Sequence, residues 1–496
     1  MPLNAWKDPT MRILQVSAEL FPLLKTGGLA DIAGALPAAL VAAGVEPRAL
    51  LPGFPAILAG LSEGTVVGHF DAPWGERLSL RRGVLPAVPT PAGPLTAYVL
   101  DAPSLFDRPG NPYEDAERRP YADNARRFGA LGWAAAHLAH GLDPAWRPEL
   151  VHGHDWHAGL AAACLHTWPG RPVPSVYTVH NLAYQGVFAA HHLHELGLPA
   201  SFFRLEGLEF HGQISFMKAG LHFADRITTV SPSYAREIQQ PEQGCGLDGL
   251  LRHRRDVLSG ILNAVDTSVW NPATDALIAH RYEARRMTGK AICKAALQRE
   301  MKLDLIPGAP LFCVVSRLTE QKGLHLVLAG GDDIVAAGGQ LLVQGTGDPE
   351  LQHAFALLAQ RHPGRVAVHL GYDEALAHRV FAGADVTLVP SRFEPCGLTQ
   401  LYGLQYGSLP LVRAVGGLAD TVVDADLATL EDDSANGFVF HDFTEAAYRH
   451  ALRRAFALYR QPSAWAKVRQ AGMRRASGWD ESARHYVALY QSLLRP

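Results

Sequence analysis

The sequence has few cysteines and no pattern that would pair them. Among its 496 residues there are five cysteines, at positions 164, 245, 293, 313 and 396, with no C-x-x-C pair. An odd, scattered set excludes a disulfide framework, argues against structural zinc and favours a reducing compartment.

Long apolar runs and charge of one sign are also missing. No stretch of ~18 uninterrupted apolar residues occurs, and the N-terminus lacks the basic and apolar regions of a secretory signal. Lys plus Arg (45) against Asp plus Glu (48) leaves a net charge of -3, which gives nucleic acid no electrostatic footprint. We therefore expect a cytoplasmic protein that binds neither membrane nor nucleic acid. Residues 1–10 are expected to form a leader outside the fold.

Short apolar runs alternate with Ala- and Leu-rich helical stretches through most of the chain. Such runs are typical of parallel strands covered on both faces, so we predict an α/β fold with parallel sheets. Two series of runs predict two doubly wound domains, residues 11–260 and 261–475. Tyr486, Leu489, Tyr490 and Leu493 at i, i+3, i+4 and i+7 predict a terminal amphipathic helix within residues 476–496 that docks on the rest. The predicted strands are residues 12–17, 97–100, 150–152, 175–180 and 226–230, then 311–316, 340–344, 365–370, 385–390 and 409–412.

Ligands of open parallel sheets bind beyond the carboxyl ends of the strands. Two such sheets facing each other would place one cleft between the domains, and the chemically informative motifs should follow strands. They do so at five places along this sequence.

A pair of glycines follows the first predicted strand. Between Lys25 and Asp31, Gly27 and Gly28 would let backbone N–H groups approach an anion at a helix N-terminus, with Lys25 adding a mobile positive charge. The run is neither a Walker A loop nor a G-x-G-x-x-G fingerprint. An anion site is favoured, and a turn that serves chain geometry alone is the alternative.

Histidines gather at the ends of two later strands of the first series. Their spacing matches zinc sites poorly, so a polar cluster lining a sugar site is the favoured interpretation over a metal site. The histidine after the second of these strands is either a satisfied core residue or, as its position favours, a cleft residue that binds a hydroxyl or a developing positive charge. The residues concerned are His152, His154, Asp155, His157 and His180.

Basic residues follow the first strand of the second series. Arg317 and Lys322 straddle a short loop before a helix, which is a geometry suited to holding two phosphates. A solvated basic pair is the alternative. The lone Gly345-x-Gly347 pattern is weak, Tyr372 offers a stacking face for a base, and Asp424-x-Asp426 is interpreted as ordinary surface.

The densest motif runs from Ser391 to Gln400. Glu394 can accept hydrogen bonds from vicinal sugar hydroxyls, Pro395 restricts its backbone, and a helix starting near Gly397 can bind phosphate through its N–H groups. Cys396 is first interpreted as a small packed residue, with a reactive thiol as the alternative.

In this order and spacing, the motifs resemble the bacterial glycogen synthase and plant starch synthase family, over nearly the whole chain from Met11 onward. The resemblance implies a GT-B fold: two Rossmann-like domains facing a deep inter-domain cleft, with a C-terminal helix crossing back to the first domain. It implies transfer of glucose from ADP-glucose to the non-reducing end of an α-1,4-glucan such as glycogen, with retention of configuration and without a metal or other cofactor.

The resemblance also implies roles for individual residues. Lys25, Gly27 and Gly28, beside Asp31, would meet the donor diphosphate, and Arg317 and Lys322 would bind its phosphates from the second domain. Glu394 would hold the glucose hydroxyls. The remaining assignments are Asp155 and His180 to the glucose and acceptor side, Tyr372 to adenine, and Cys396, Gly397, Leu398 and Thr399 to donor contacts.

Two other classes of function stay open. One is a non-catalytic glucan-binding or regulatory protein that keeps the fold, although the intact set of Lys25, Arg317, Lys322 and Glu394 argues against it. The other is a nucleotide-sugar epimerase of related fold, which would turn over a sugar nucleotide without an acceptor.

Overall fold

The computed structural model describes residues 11–170, 173–475 and 478–494, so the expected leader lies outside the described residues. The chain divides into two compact units. Of the described residues, the first unit contains 11–230, 235–261 and 479–494, and the second contains 231–234, 262–475 and 478. The sequence predicts domain boundaries after residues 260 and 475, and the structure divides the two units after residues 261 and 478. Residues 231–234 belong to the second unit.

Eighteen strands are found in the described part of the chain. In chain order they are β1 Met11–Val16, β2 Val45–Pro52, β3 Ser62–Asp71, β4 Arg77–Thr90, β5 Gly93–Asp101, β6 Leu150–His154, β7 Ser175–Val179, β8 Val187–Ala189, β9 Glu209–Phe210, β10 Gln213–Ser215, β11 Arg226–Thr229, β12 Leu258–Gly260, β13 Leu311–Val315, β14 Gln340–Gly345, β15 Val366–Leu370, β16 Val386–Val389, β17 Leu409–Arg413 and β18 Phe438–Phe440.

Nineteen α-helices occur in the same residues. They are α1 Gly28–Ala42, α2 Pro55–Gly60, α3 Pro103–Phe106, α4 Asn124–Ala139, α5 Leu160–Leu165, α6 His192–Glu195, α7 Phe216–Phe223, α8 Pro232–Glu237, α9 Asp248–His253, α10 Thr288–Glu300, α11 Leu324–Ala336, α12 Pro349–Arg361, α13 Glu374–Gly383, α14 Thr399–Gln405, α15 Gly416–Thr421, α16 Leu427–Glu431, α17 Glu445–Tyr459, α18 Pro462–Arg475 and α19 Asp480–Leu494.

The first unit is built on a nine-stranded sheet in the order β12-β11-β7-β6-β1-β2-β5-β4-β3. Strands β12 to β5 run parallel, as expected, but β3 and β4 pair antiparallel with each other and with β5. The expectation of a wholly parallel sheet is therefore wrong here. Strand β3 is mostly exposed, so this edge lacks the continuous apolar runs that identify doubly covered strands.

A small antiparallel sheet, β8-β10-β9, also belongs to the first unit. The core of the unit includes helix α4, fourteen of whose sixteen residues are buried. A helix that is apolar on nearly all sides can be stable only inside a core.

The second unit has a six-stranded, wholly parallel sheet in the order β15-β14-β13-β16-β17-β18. Its five predicted strands are all present, and the short β18 extends the edge. Side-chain caps start three of its helices, because Asp348, Asp373 and Thr444 accept hydrogen bonds from backbone N–H groups in the first turns of α12, α13 and α17.

The terminal helix α19 belongs to the first unit. Its buried residues are Ser482, Ala483, Tyr486 and Tyr490, the two tyrosines fully so. The docking face predicted from the spacing of its apolar residues is therefore present and centred on the tyrosines. No helix among the described residues has the length and apolar character needed to cross a membrane.

Candidate active site

The glycine turn after β1 is held by Glu19. The buried Glu19 carboxylate accepts hydrogen bonds from the backbone N–H of Thr26 (2.6 Å) and of Gly27 (3.3 Å), and from the Thr26 hydroxyl (2.5 Å). Of the two glycines expected to offer N–H groups to an anion, Gly27 therefore already donates to an internal carboxylate. Helix α1 begins at Gly28, and its N-terminus is the part of the turn where an anion is still expected.

The backbone of Gly27 lies beside open space. Its φ of -160° and ψ of -167° describe extended backbone, and no described atom lies within 4 Å of the position that a Cβ would take. Neither conformation nor packing requires glycine here. What its hydrogen side chain provides is an uncovered backbone at the start of α1.

Lys25 and Asp31 are brought together. Their Nζ and Oδ1 atoms are 2.9 Å apart, with the side chains 17% and 14% exposed, and the ammonium lies 5.2 Å from the ring centroid of Phe21. The predicted cation is therefore present at the turn and is held by the predicted acid.

Asp155 joins the loops that follow β6 and β7. Its Oδ1 accepts hydrogen bonds from the backbone N–H of His180 (2.8 Å) and Asn181 (3.2 Å), and its own N–H donates to the carbonyl of Thr178. The residue adopts a φ of 57°, a left-handed conformation that Asp tolerates better than most residues. Burial raises the pKa of this carboxyl to about 7, although the two N–H donors oppose that rise.

Four histidines, His152, His154, His157 and His180, form what we call the histidine cluster. Burial lowers the pKa of His154 and of His157 to about 3, and lowers those of His152 and His180 well below the ordinary value. The cluster is therefore neutral at physiological pH.

The ring nitrogens of His152 and His154 are bound by protein groups. His152 contacts Tyr490 and Thr178, and His154 contacts Gln15 and His180, so the structure favours the polar cluster over the metal alternative. Among the residues that the structure describes, only His191, His192 and Glu195 have ligand atoms grouped closely enough for a metal ion, and Glu195 also pairs with Arg126.

Tyr113 connects Glu19 to the histidine cluster. Its hydroxyl donates to Glu19, and its ring stacks on His157 with centroids 4.7 Å apart. The ring of the neighbouring Trp156 packs against those of His157 and Phe128, with centroid distances of 4.2 and 4.8 Å. Tyr113 lies in a long loop before α4, where no strand end or motif marks it.

In the second unit, Ser391, Lys322 and Glu394 form a group that we call the glutamate site. Lys322 Nζ lies 2.6 Å from Glu394 Oε2, and the Ser391 hydroxyl donates to the same oxygen at 2.9 Å. The glutamate is buried and the lysine side chain is 17% exposed. Two predicted site residues thus meet here, and Ser391 is a partner to which the sequence analysis gave no role.

The backbone around Glu394 is fixed by the N-terminus of α15. The N–H of Gly417 lies 3.2 Å from the carbonyl of Glu394 and 3.1 Å from that of Pro395. At Gly416 φ is 45°, and a Cβ there would stand 1.9 Å from the carbonyl oxygen of Glu394. Only glycine allows this close approach.

The residues after Glu394 connect it to helix α14. Cys396 is buried, and burial raises the pKa of its thiol to about 12, which favours the packed interpretation over the reactive one. Gly397 and Leu398 are half-buried and precede Thr399, the first residue of α14. The amide of Gln400 donates to the carbonyls of Cys396 (3.0 Å) and Gly397 (2.7 Å).

Arg317 and Tyr372 lie at strand ends but outside the glutamate site. Arg317 is exposed in the loop after β13. Tyr372 follows β15, is 70% exposed, and hydrogen-bonds to Glu374. Asp424 accepts a hydrogen bond from Arg454, and Asp426 caps α16, so both acids of the D-x-D pattern have structural partners.

Comparison with known proteins defines the class first. The structure is similar to that of the catalytic domain of starch synthase IV from Arabidopsis thaliana bound to ADP and acarbose, with a TM-score of 0.88 and 30% identity over 98% of this chain and 100% of the other. Sucrose-phosphate synthase from Thermosynechococcus elongatus shares the fold at a TM-score of 0.60 and 18% identity, covering 97% and 99% of the two chains. The protein is a glycosyltransferase of the GT-B type.

Sequence comparison identifies the family. Residues 12–253 match the starch synthase catalytic domain, and residues 299–470 match the glycosyl transferases group 1. The chain is 62% identical to a glycogen synthase of Variovorax paradoxus (98% of this chain, 99% of the relative) and 59% identical to one of Leptothrix cholodnii (97% and 100%). The chain belongs to the glycogen synthase and starch synthase family, and the resemblance inferred from the motifs is confirmed.

Proposed function

We propose that this protein transfers glucose from ADP-glucose to the non-reducing end of an α-1,4-glucan with retention of configuration, releasing ADP. The observation that carries the proposal is the glutamate site at the carboxyl end of the second sheet. There a buried carboxylate is fixed by a serine and a lysine, in a chain that belongs to the glycogen and starch synthases.

Glu394 is arranged to accept hydrogen bonds from a sugar. Both Lys322 and Ser391 bind Oε2, and within residues 11–170, 173–475 and 478–494 no donor is seen on Oε1. A buried carboxylate oxygen that is already oriented binds hydroxyl groups without reorganisation. We assign Oε1 to the glucose hydroxyls of the donor.

The reaction moves charge in a way that suits the cations found in both units. The bond from the anomeric carbon to the diphosphate breaks with its electron pair leaving on ADP. The glucan O4 forms the new bond to the anomeric carbon, and its proton passes to a phosphate oxygen of the departing ADP. Positive charge develops on the sugar and negative charge on the phosphates, so Lys322 and Arg317, with Lys25 and the start of α1, are assigned to the diphosphate.

The first unit supplies polar groups for the sugar and the acceptor. Asp155 fixes the backbone of His180 through two hydrogen bonds, and we assign both residues to the glucose and acceptor side. Tyr372 is assigned to adenine, and residues 396–399 to donor contacts through backbone and helix start. We further propose that the reaction needs no metal and that the protein is cytoplasmic.

The test is a direct assay of the full-length purified protein. It is incubated with ADP-glucose and glycogen, and both ADP release and glucose incorporation into glucan are measured. We expect ADP release that depends on glucan and is unchanged by EDTA, with new α-1,4 linkages seen by proton NMR. ADP release that is equal without glycogen would support a hydrolase instead, loss of ADP-glucose without either glycogen or ADP release would support an epimerase, and no turnover would overturn the proposal. A parallel run with UDP-glucose measures donor preference.

A further inference from the structure

A chain of buried hydrogen bonds connects the terminal helix to His180. Tyr490 of α19 accepts a hydrogen bond from Gln15 Nε2 at 3.1 Å, Gln15 Oε1 lies 2.7 Å from His154 Nε2, and His154 Nδ1 lies 3.0 Å from His180 Nε2. Gln15 and His154 are 6% and 2% exposed and Tyr490 is fully buried. All of these residues belong to the first unit.

We propose that Tyr490 and Gln15 are positioning residues: Tyr490 holds the nitrogen end of the Gln15 amide, and the amide, acting through His154, fixes both the ring orientation and the tautomer of His180. The proposal rests on the proposed function, because it treats His180 as a group that faces the sugar. Tyr490 and Gln15 act on the reaction only through His180.

The direction of the chain follows from the amide of Gln15. Its nitrogen can only donate, so the Tyr490 oxygen accepts from Gln15, and the Tyr490 proton must go to its other neighbour, His152 Nδ1, at 2.8 Å. The Gln15 oxygen can only accept, so His154 carries its proton on Nε2 and has a lone pair on Nδ1. His154 Nδ1 then accepts from His180 Nε2.

His180 is consequently the Nε2–H tautomer, and its Nδ1 is the nitrogen left to accept a hydrogen bond. A neutral ring of this kind accepts from a hydroxyl and does not repel the positive charge that develops on the sugar. The other tautomer would present an N–H donor at the same position. The orientation of the Gln15 amide, with its nitrogen on Tyr490 and its oxygen on His154, thereby selects the hydrogen-bonding character of His180.

The hydrogen-bond network also continues from Tyr490, away from Gln15, to His152 and two threonines. His152 Nε2 lies 2.6 Å from the Thr178 hydroxyl, which lies 2.5 Å from that of Thr228. Each hydroxyl can rotate to suit its neighbours, so this side does not determine the direction. The amide of Gln15 is the one member whose two ends differ chemically. Its orientation therefore determines the direction in which the hydrogen bonds of this network are donated.

The variant that tests the proposal is Tyr490→Phe, and the matched control is Tyr486→Phe. Tyr486 lies one turn earlier on α19, is equally buried, and contacts His152 through its ring at 5.5 Å. Its hydroxyl is not a member of the chain from Tyr490 to His180, so the control reproduces the loss of a buried tyrosine hydroxyl from the same helix. The melting temperatures of both variants show whether α19 stays packed on the first unit.

Two readouts separate positioning from simple stability. We expect kcat with ADP-glucose and glycogen to fall about tenfold in Tyr490→Phe, which is the effect of about one hydrogen bond. The KM for ADP-glucose should change less than about twofold. Tyr486→Phe should stay close to wild type in both constants. In ¹⁵N-histidine-labelled full-length protein, the His180 signal, assigned with His180→Gln, should show the Nε2–H tautomer. That signal should become mixed in Tyr490→Phe and stay unchanged in Tyr486→Phe.

Opposite results would overturn the proposal. These are an Nδ1–H tautomer for His180 in the wild type, or equal kcat and equal His180 spectra for the two variants. If Tyr490→Phe does not fold, the wild-type spectrum and the Gln15→Met variant, which removes the amide, still decide the matter. The spectrum does not depend on turnover, so an inactive wild type would contradict the proposed function without deciding the tautomer.

Discussion

The histidine cluster of the first unit and the glutamate site of the second solve the same problem in different ways. Both hold titratable side chains away from water. In the cluster, burial makes the rings neutral, as the lowered pKa values of His154 and His180 show. In the glutamate site, Glu394 is paired with Lys322 at 2.6 Å. Burial alone favours the uncharged form, whereas a close partner preserves the charge.

The difference shows what each region can contribute to transfer. A neutral cluster can orient hydroxyl groups by hydrogen bonds but cannot neutralise a diphosphate. The cations that the proposed function assigns to that task are Arg317 and Lys322, after β13, and Lys25, in the turn before α1. The two regions should therefore respond differently to loss of a charge and to a change of pH.

The largest expected effect is that of Glu394→Gln. The amide keeps the shape but loses the charge that binds Lys322 and that the proposed function assigns to the sugar, so we expect kcat/KM to fall about 100-fold, the loss of a charged hydrogen-bond network. The measurement is glucan-dependent ADP release. Glu320→Gln is the matched control, since it removes a carboxylate from an exposed ion pair with Arg392 and should leave the rate near wild type. A rate for Glu394→Gln within threefold of that control would show that the glutamate site is misassigned.

Acidification should affect the first unit before the second. Unfolded histidine binds a proton near pH 6.5, whereas His154 and His157 in the fold bind one only near pH 3. The contribution of these histidines to the free energy of unfolding of the first unit therefore decreases as the pH falls from about 6.5 towards 3.

Hydrogen exchange of the whole chain at pH 7.5 and 4.5, read by mass spectrometry at matched intrinsic exchange, measures this order. We expect β6 and β7 to lose protection at pH 4.5 while β13 and β16 keep theirs. Equal loss in both units would contradict the comparison. A variant with His157→Phe, which keeps a ring against Tyr113 and cannot titrate, should retain more protection at low pH.

Asp155→Asn should change the stability of the fold less than acidification does. The contribution of Asp155 to stability also has the opposite pH dependence to that of the histidines. The folded carboxyl titrates near pH 7 instead of 3.8, so between these values the folded state keeps a proton that the unfolded chain has lost. Stability therefore falls as the pH rises through this window, and the full penalty is present above it. Asn keeps an oxygen for the N–H groups of His180 and Asn181 but has no charge to bury.

We expect Asp155→Asn to melt about 3 °C above wild type at pH 8, the shift of about 1 kcal/mol, and to match it at pH 4. Scanning calorimetry at the two values checks this. Asp71→Asn, which removes an exposed carboxylate, should shift the melting temperature by the same amount at pH 8 and at pH 4. A melting temperature of Asp155→Asn below wild type at pH 8 would show that the charge is stabilising.

The sequence predicts the parallel strands well and the polar networks poorly. All ten predicted strands are present within a few residues, because doubly covered strands require continuous apolar runs. Strand β2 was missed, since Glu46, Pro47 and Arg48 interrupt its apolar character, and β3 was missed because it is mostly exposed.

The sequence marks candidate site residues at strand ends, whereas it does not mark the residues that contact and support them. Lys322 and Glu394 are 72 positions apart and meet, as their placement after parallel strands predicts. Gln15 and Tyr490 are 475 positions apart, and one lies inside a strand and the other on a helix. Neither position carries a local signal, because only tertiary packing brings a strand amide and a helix hydroxyl into contact. Tyr113 was missed for the same reason.

The smallest expected effect, that of Gly27→Ala, tests whether the glycine turn faces a ligand. A methyl group at residue 27 meets no described atom within 4 Å, and the backbone needs no glycine, so the melting temperature should not change. If the donor diphosphate approaches the start of α1, the methyl group should hinder it and raise the KM for ADP-glucose about fivefold, corresponding to about 1 kcal/mol of helix-terminus binding. Gly249→Ala in α9 is the control, because a Cβ there meets only the end of the Arg252 side chain at 3.9 Å. An unchanged KM in Gly27→Ala would mean that this backbone faces solvent, and donor recognition would then belong to the charged groups of the second unit.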